Sequence, residues 1–519
     1  MPDARSVLAL CASVCAPVRS AAGFGRPLRR VARALLVASR GGLRGPWPCD
    51  EGPAANGGRH RGRVGRWLAA AVLALAPGAA GADTAALAER LAGTVPARLA
   101  ADGVPGAVVV VIAGGRPVWT GAFGLADPAR GRAMTADTLF RVESLSKPVA
   151  AWGALRLAET GRLDLDAPVA ACLPGWAGPG LPPVTARQLM SHRAGLAVGD
   201  YAARHAPGAP RPDLATHLAG DIRWIAAPGA GFAYSDTGYH LLELAMEGCA
   251  GAPFPALMGT EVLGPLGMAT ARFGAPGGGM AVGHDLRGRP VAPYVYPGYA
   301  SGGLIAGAAD IARFAAAGMA GAGQGVLSPA GVAALHRAEG PVTGLFAAVA
   351  EGYGLGHFTE TLSDGRRAVW HGGQGYGWMS HMHLVPETGD GIVILSNGQR
   401  AWPLFAAVLR AWSDSLGVAP VGMARVLWAE AAARVAIGAL VALALLAAWA
   451  GLRRRRGAGV RVLAGAAAVP LAGWGLWAAA QDYLFLFSIL PGLWPWLAGA
   501  SGVAALGCAA AALAPSRRD

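Results

Sequence analysis

Leu139-Phe140-Arg141-Val142-Glu143-Ser144-Leu145-Ser146-Lys147 decides the reading of this chain, because it ends on the only lysine in 519 residues. Every other positive side chain among the 44 is arginine. Arginine stays charged up to a pH of about 12, whereas a lysine amine can lose its proton when buried or set near positive potential. Codon bias that spares one lysine by accident is the bland alternative. Proton abstraction from a nearby nucleophile is the simplest job that demands the difference, and Ser144 stands three positions earlier. Pro148 lacks a backbone N–H and is tolerated only in a helix's first turn, so the helix predicted over Ser144–Thr160, closed by Gly161, starts close to Ser144. The hydroxyl then sits at a helix amino end, where partial positive charge gathers, with Lys147 one turn later on the same face. An isolated S-x-x-K is a weak pattern, so its surroundings must decide.

Upstream, the β-branched run Ala107–Ile112, the pair Gly114-Gly115 and the run Pro117–Gly124 predict a hairpin. The middle, roughly 165–340, is rich in Ala, Leu, Gly and Pro, with helix-like pieces at Gly238–Cys249 and Ala308–Ala317. Strands return at Val369–His371, Trp378–Val385 and Gly391–Asn397, with Pro386–Asp390 as a turn, and Trp402–Leu416 predicts a closing helix. Strands at both ends around a helical centre predict one antiparallel sheet assembled from both termini, an α+β arrangement. Residues 83–420 are enough for a substantial core.

Three polar clusters in this segment are candidates for chemistry: Ser144/Lys147, then Tyr234-Ser235-Asp236 at the start of a helix-like run, then His371-Gly372-Gly373 at a strand end. Five strings in order carry a resemblance: Leu139 to Lys147 as quoted, Gln188-Leu189-Met190-Ser191-His192-Arg193-Ala194-Gly195-Leu196, Tyr234-Ser235-Asp236-Thr237-Gly238-Tyr239, Ser301-Gly302-Gly303-Leu304, and His371-Gly372-Gly373. Over about residues 85–418 the chain resembles the serine beta-lactamase and penicillin-binding superfamily, closest to its class C and esterase-like branch. The resemblance implies an antiparallel sheet flanked by helices plus an all-helical subdomain. It implies that Ser144 attacks an acyl carbon and forms an acyl-enzyme that water hydrolyses. Tyr234 would share or take the base role with Lys147, and the backbone N–H groups of Ser144 and Gln374 would form the oxyanion hole, with Asp236, His371 and Gly373 at the substrate side.

Two departures from the family pattern matter. Asp236 stands where asparagine is usual, and an anion there would hold Lys147 protonated, so Tyr234 is expected to be the principal base. His371 stands where beta-lactamases carry lysine, and a neutral histidine grips a beta-lactam carboxylate less well. The expected substrates are therefore small esters, amides or D-amino-acid peptides. A D-Ala-D-Ala carboxypeptidase or weak beta-lactamase is one rival reading, and a membrane sensor that acylates once without turnover is another.

The ends of the chain read differently. Residues 1–66 carry 12 arginines against Asp3, Asp50 and Glu51, and 421–519 carry nine against Glu430, Asp482 and Asp519. The formal charge of +13 thus belongs to the ends, and the near-neutral middle offers no nucleic-acid surface. The first 66 residues are Arg/Gly/Pro-rich without periodicity, as a mis-assigned start would be. Arg61, Arg63 and Arg66, the apolar run Trp67–Ala76 and the small residues Ala80-Gly81-Ala82 have the order of a signal peptide over 67–82.

Beyond residue 420, Val435–Leu452, Val462–Ala480 and Leu484–Ala514 predict three transmembrane helices. Arg453–Arg456 and Arg517-Arg518 would fall on one side of the bilayer and Asp482 on the other. This topology places residues 83–420 outside the cytoplasm, anchored to the cell membrane, with the lipid bilayer as a partner.

Of the six cysteines, only Cys172 and Cys249 fall in the exported segment. They are read as small core residues, with pairing left open. His192 is expected to pack or cap in a loop, and His381 and His383 to be sheet residues rather than metal ligands. The sequence has no H-E-x-x-H, no G-x-S-x-G and no P-loop, so neither a metal nor a cofactor is expected.

Overall fold

The valine run forms the centre of a sheet because both of its faces are covered. The computed structural model describes residues 84–519 except 177, 201, 320–321, 453–457, 480–487 and 514–519. The extension 1–66 and the leader at 67–82 lie outside the described residues. Helix α1 (Thr84–Asp102) leads into β1 (Gly106–Ala113) and β2 (Arg116–Asp127), which pair antiparallel across Gly114 and Gly115. Both glycines have positive φ, which a side chain at either position would resist. Short strands β3 (Arg132–Ala133) and β4 (Leu139–Arg141) precede α2 (Ser146–Glu159). The helical middle contains α3 (Asp236–Ala250), β5 (Arg272–Phe273), β6 (Leu304–Gly307) and α4 (Ala308–Ala317). Then come β7 (Gly340–Pro341), β8 (Gly352–Tyr353), β9 (Phe358–Thr361), β10 (Arg367–Gln374), β11 (Met379–Val385), β12 (Asp390–Ser396) and α5 (Trp402–Ser415).

Nine strands make the main sheet in the order β3-β2-β1-β12-β11-β10-β9-β8-β7, so its middle joins the first long strand to the last. Ala107 pairs with Ser396 and Ile112 with Gly391. Alternation along β1 sends Val108, Val110 and Ile112 into a core shared with α2, α3 and α4. Ala107, Val109 and Val111 go to a second core, filled by Leu87, Leu91, Val95 and Leu99 of α1 and by Trp402, Phe405, Leu409 and Trp412 of α5. A strand buried on both faces reads as an unbroken apolar run, as this one does. Each such aliphatic side chain contributes roughly 1.5–3 kcal/mol on burial.

One expectation is corrected here. Cys172 and Cys249 are not merely small core residues: they form a disulfide that ties the segment after α2 to the end of α3. Of the three spans expected, two described helices are long and apolar enough to cross a bilayer, Gly422–Ala450 and Trp494–Leu513. The first overlaps α6 (Val426–Leu452). The middle run lies in α7 (Ala458–Ala479), which holds Pro470. Among the described residues its apolar stretch is Gly459–Trp474. The last helix, α8 (Trp494–Leu513), starts ten residues after Leu484, beyond Pro491 and Gly492. The arginine clusters and Asp482 lie outside the described residues.

Candidate active site

The serine–lysine pair is set by a turn that the chain is forced to make. Glu143 takes a left-handed backbone conformation with φ of 51°, unusual for a residue with a side chain. A single 3-10 turn, Glu143–Leu145, then feeds α2. Ser146 locks this turn: its hydroxyl donates to Glu143 O at 2.6 Å and accepts from Leu304 N at 3.0 Å. Glu143 itself is buried, and its carboxylate accepts from Tyr294 at 3.0 Å, from Tyr296 at 2.8 Å and from Arg141 at 3.2 Å. These bonds hold the strained residue in place directly ahead of Ser144.

Lys147 is 0% exposed. Its Nζ stands 3.1 Å from Ser144 Oγ, 2.6 Å from Asp236 Oδ1 and 2.8 Å from Ser301 O. Three acceptors match the three protons of an ammonium. A neutral amine would keep two of these bonds as donor and turn its lone pair toward the serine. Burial pushes Lys147 below the usual lysine range, against the opposing pull of the Asp236 carboxylate. The Tyr234 ring lies 5.0 Å from Lys147 Nζ. Burial, and then the Asp236 charge, raise the Tyr234 phenol well above its ordinary value, with an interaction from Ser144 working the other way.

Helix α3 explains how Tyr234 and Asp236 arrive. Ser235 caps it, with Oγ accepting from Gly238 N at 2.9 Å, so Asp236 is the first helical residue and faces Lys147. Ser144, Asp236 and Gln374 all line an open cleft, with Asp200, Asp221, Tyr296, Gln399 and others. Lys147, His371 and Gly373 are buried, and Tyr234 is half-buried. Gly373 lies where β10 passes the nucleophile turn, and a Cβ there would strike the Ser380 hydroxyl and the Val142 carbonyl. His371 is 1% exposed. Its Nε2 lies 3.0 Å from the Tyr353 hydroxyl and its Nδ1 2.7 Å from Gly372 O. Burial, with Lys147 adding to it, pushes His371 well below its ordinary value, so it is neutral.

A family model described as Beta-lactamase matches residues 91–412. This chain belongs to the beta-lactamase family. It is 34% identical over 218 residues to Esterase EstB of Burkholderia gladioli, covering 38% of this chain and 55% of the esterase, so the match spans about half of that relative. It is 28% identical over 331 residues to Penicillin-binding protein 4 of Amycolatopsis lactamdurans, covering 59% of this chain and 84% of that protein. A class C beta-lactamase mutant shares the fold at a TM-score of 0.56 and 19% identity, over 64% of this chain and 98% of its own.

Around this cleft, sequence reasoning missed the residues that hold the candidate catalytic ones. His192 was read as a packing residue, and it packs against Tyr234 with ring centroids 4.2 Å apart. Its Nδ1 also accepts from Ser235 N at 3.1 Å, which fixes the approach to α3. Glu243 accepts from the N–H groups of Tyr299 and Ala300, both at 2.6 Å, and so shapes the loop that offers Ser301 O to Lys147. Burial pushes Glu243 up to about 8. Its place on α3, two turns beyond Asp236, was the one available signal. His381 and His383 are buried in β11, 3.3 Å apart, and no cluster of metal-ligating residues occurs among the described residues.

Proposed function

We propose that this chain is a membrane-anchored, extracytoplasmic serine hydrolase working through an acyl-enzyme on small esters, amides or D-amino-acid peptides. The observation that carries this reading is the wholly buried Lys147 amine 3.1 Å from the hydroxyl of Ser144 at the cleft. Ser144 Oγ attacks the acyl carbon as its proton passes to the neutral Lys147 amine, and the carbonyl oxygen takes the negative charge. The backbone N–H groups of Ser144 and Gln374 stabilise that oxyanion, each donor being typically worth ~3 kcal/mol in the transition state. Tyr234, a neutral phenol beside the serine, donates a proton to the leaving group as its bond to the acyl carbon breaks. Water then attacks the ester on Ser144 by the same route in reverse.

This division of labour differs from the sequence expectation, which weighed the Asp236 charge above all. Burial is the larger influence on both groups, and it favours a neutral amine and a neutral phenol over an ammonium–phenolate pair. His371 supports the reading from behind by packing under Tyr234, with ring centroids 6.3 Å apart. The lining carries Asp200, Asp221 and Asp236 and neither lysine nor arginine. Neutral or cationic acyl donors suit it better than the carboxylates of beta-lactams or D-Ala-D-Ala.

Membrane anchoring draws on the two apolar helices, and an extracytoplasmic catalytic domain on the Cys172–Cys249 disulfide, a bond favoured in oxidising compartments. Three crossings would leave Arg453–Arg456 and Arg517-Arg518 on the cytoplasmic side. Reporter fusions after residue 420 and after Arg456 test this. An exported-only reporter active at Arg456 but silent at 420 would reverse the topology.

The chemistry is tested by comparing hydrolysis of p-nitrophenyl acetate, a D-amino-acid amide and a chromogenic cephalosporin by the wild type and by Ser144→Ala. The ester or the amide should be turned over faster than the cephalosporin, and Ser144→Ala should be inert to all three. Activity that survives the substitution would rule out the mechanism.

A further inference from the structure

Gln374 ends β10 in the lining of the cleft, and its side-chain amide makes two bonds, one of which the hydrolase fold alone does not supply. The indole Nε1 of Trp402, on α5, donates to Gln374 Oε1 at 2.8 Å. Gln374 Nε2 donates to Ser488 Oγ at 2.8 Å. An indole nitrogen can only donate, so Trp402 decides which end of the amide faces it and leaves the amide nitrogen to Ser488. Ser488 is 0% exposed and comes from the segment just ahead of α8, far outside the family-matched residues. Next to it, Ile489 packs on the core around α5 and Leu490 is buried. Arg98 makes a second tie, joining Asp102 at 2.8 Å and Glu430 of α6 at 3.4 Å. The region beyond residue 420 is thus bonded to the strand end that faces the nucleophile.

We propose that Ser488 is a positioning residue for the hydrolase: it holds the Gln374 amide and thereby fixes the Gln374 peptide at the cleft. This rests on the acyl-enzyme reading, in which the Gln374 N–H stabilises the oxyanion. A donor misplaced by a fraction of an ångström loses much of its effect in the transition state while substrate binding changes little. The membrane region then completes the active site, and turnover depends on its being docked.

The test uses the full-length protein in detergent or nanodiscs, with kcat and KM measured on p-nitrophenyl acetate. Ser488→Ala should lower kcat about tenfold with KM within about twofold. Ser488→Thr, which keeps the hydroxyl, should stay near wild type, while Ser488→Val, of the same shape without it, should fall with Ser488→Ala. In a Gln374→Ala background, Ser488→Ala should add less than about twofold. Wild-type kcat in Ser488→Ala, equal losses in the Thr and Val variants, or an undiminished loss in the Gln374→Ala background would each overturn the proposal. Hydrolysis that persists in Ser144→Ala would instead sink the acyl-enzyme reading, which separates the two failures.

Discussion

The turn carrying Ser144 and Lys147 and the strand carrying His371, Gly372 and Gly373 are both compact polar motifs, yet they serve the cleft in opposite ways. The first puts its reactive groups within bonding distance of each other, with Ser144 on the cleft surface. The second keeps its motif side chains behind the cleft and sends forward the residue after them, Gln374. The contrast follows from helix and strand geometry. One helical turn brings positions i and i+3 to the same face, whereas a strand alternates, so which residue faces a site depends on the partner that fixes its register. Here Gly373 pairs with Ser380 and Gln374 with Met379.

Substitutions on the two sides should therefore differ in size, and the largest effect belongs to the turn. Lys147→Arg keeps the charge but cannot give up the proton, so kcat/KM should fall by more than about a thousandfold, measured on p-nitrophenyl acetate. Retention of a tenth of the activity would mean that charge alone suffices at this position. Tyr234→Phe removes the proposed proton donor to the leaving group and should cost about a hundredfold. A loss beyond about a thousandfold would hand the base role to the phenol after all.

On the strand side, His371→Gln should lower kcat/KM less than about tenfold while lowering stability by about 1–3 kcal/mol, because a buried bond to Tyr353 is disturbed. Denaturant titration alongside kinetics separates the two effects. An activity loss matching Lys147→Arg, with stability unchanged, would place His371 in the chemistry and erase the contrast.

The smallest effect concerns pH. In the proposed mechanism the neutral Lys147 amine is the active form, so kcat/KM should rise with pH and level off above the lysine's lowered value. The Asp236 carboxylate raises that value and opposes burial. Asp236→Asn, which restores the residue usual in the family, should move the rising limb about one unit toward acid. A limb that stays in place would show that Asp236 does not tune Lys147.

Local chemistry made much of this legible in advance. The lone lysine and Pro148 located the helix start, and the valine run with its Gly114-Gly115 turn located the hairpin that seeds the sheet. What stayed hidden came from distant segments meeting. Glu143 looked like part of a family string, and only the arrival of Tyr294 and Tyr296 makes it a brace. Ser301 offers a backbone carbonyl, which no side-chain pattern announces. The Cys172–Cys249 bond needed geometry that two cysteines 77 apart do not reveal.

Intact-protein and peptide mass spectrometry after brief exposure to a fluorophosphonate tests the central claim most directly, in the wild type, Lys147→Arg and Ser144→Ala. A single adduct on the peptide containing Ser144, formed rapidly in the wild type, much more slowly in Lys147→Arg and not at all in Ser144→Ala, is the expected result. An adduct on another residue, or one that forms at the same rate without the lysine, would contradict it.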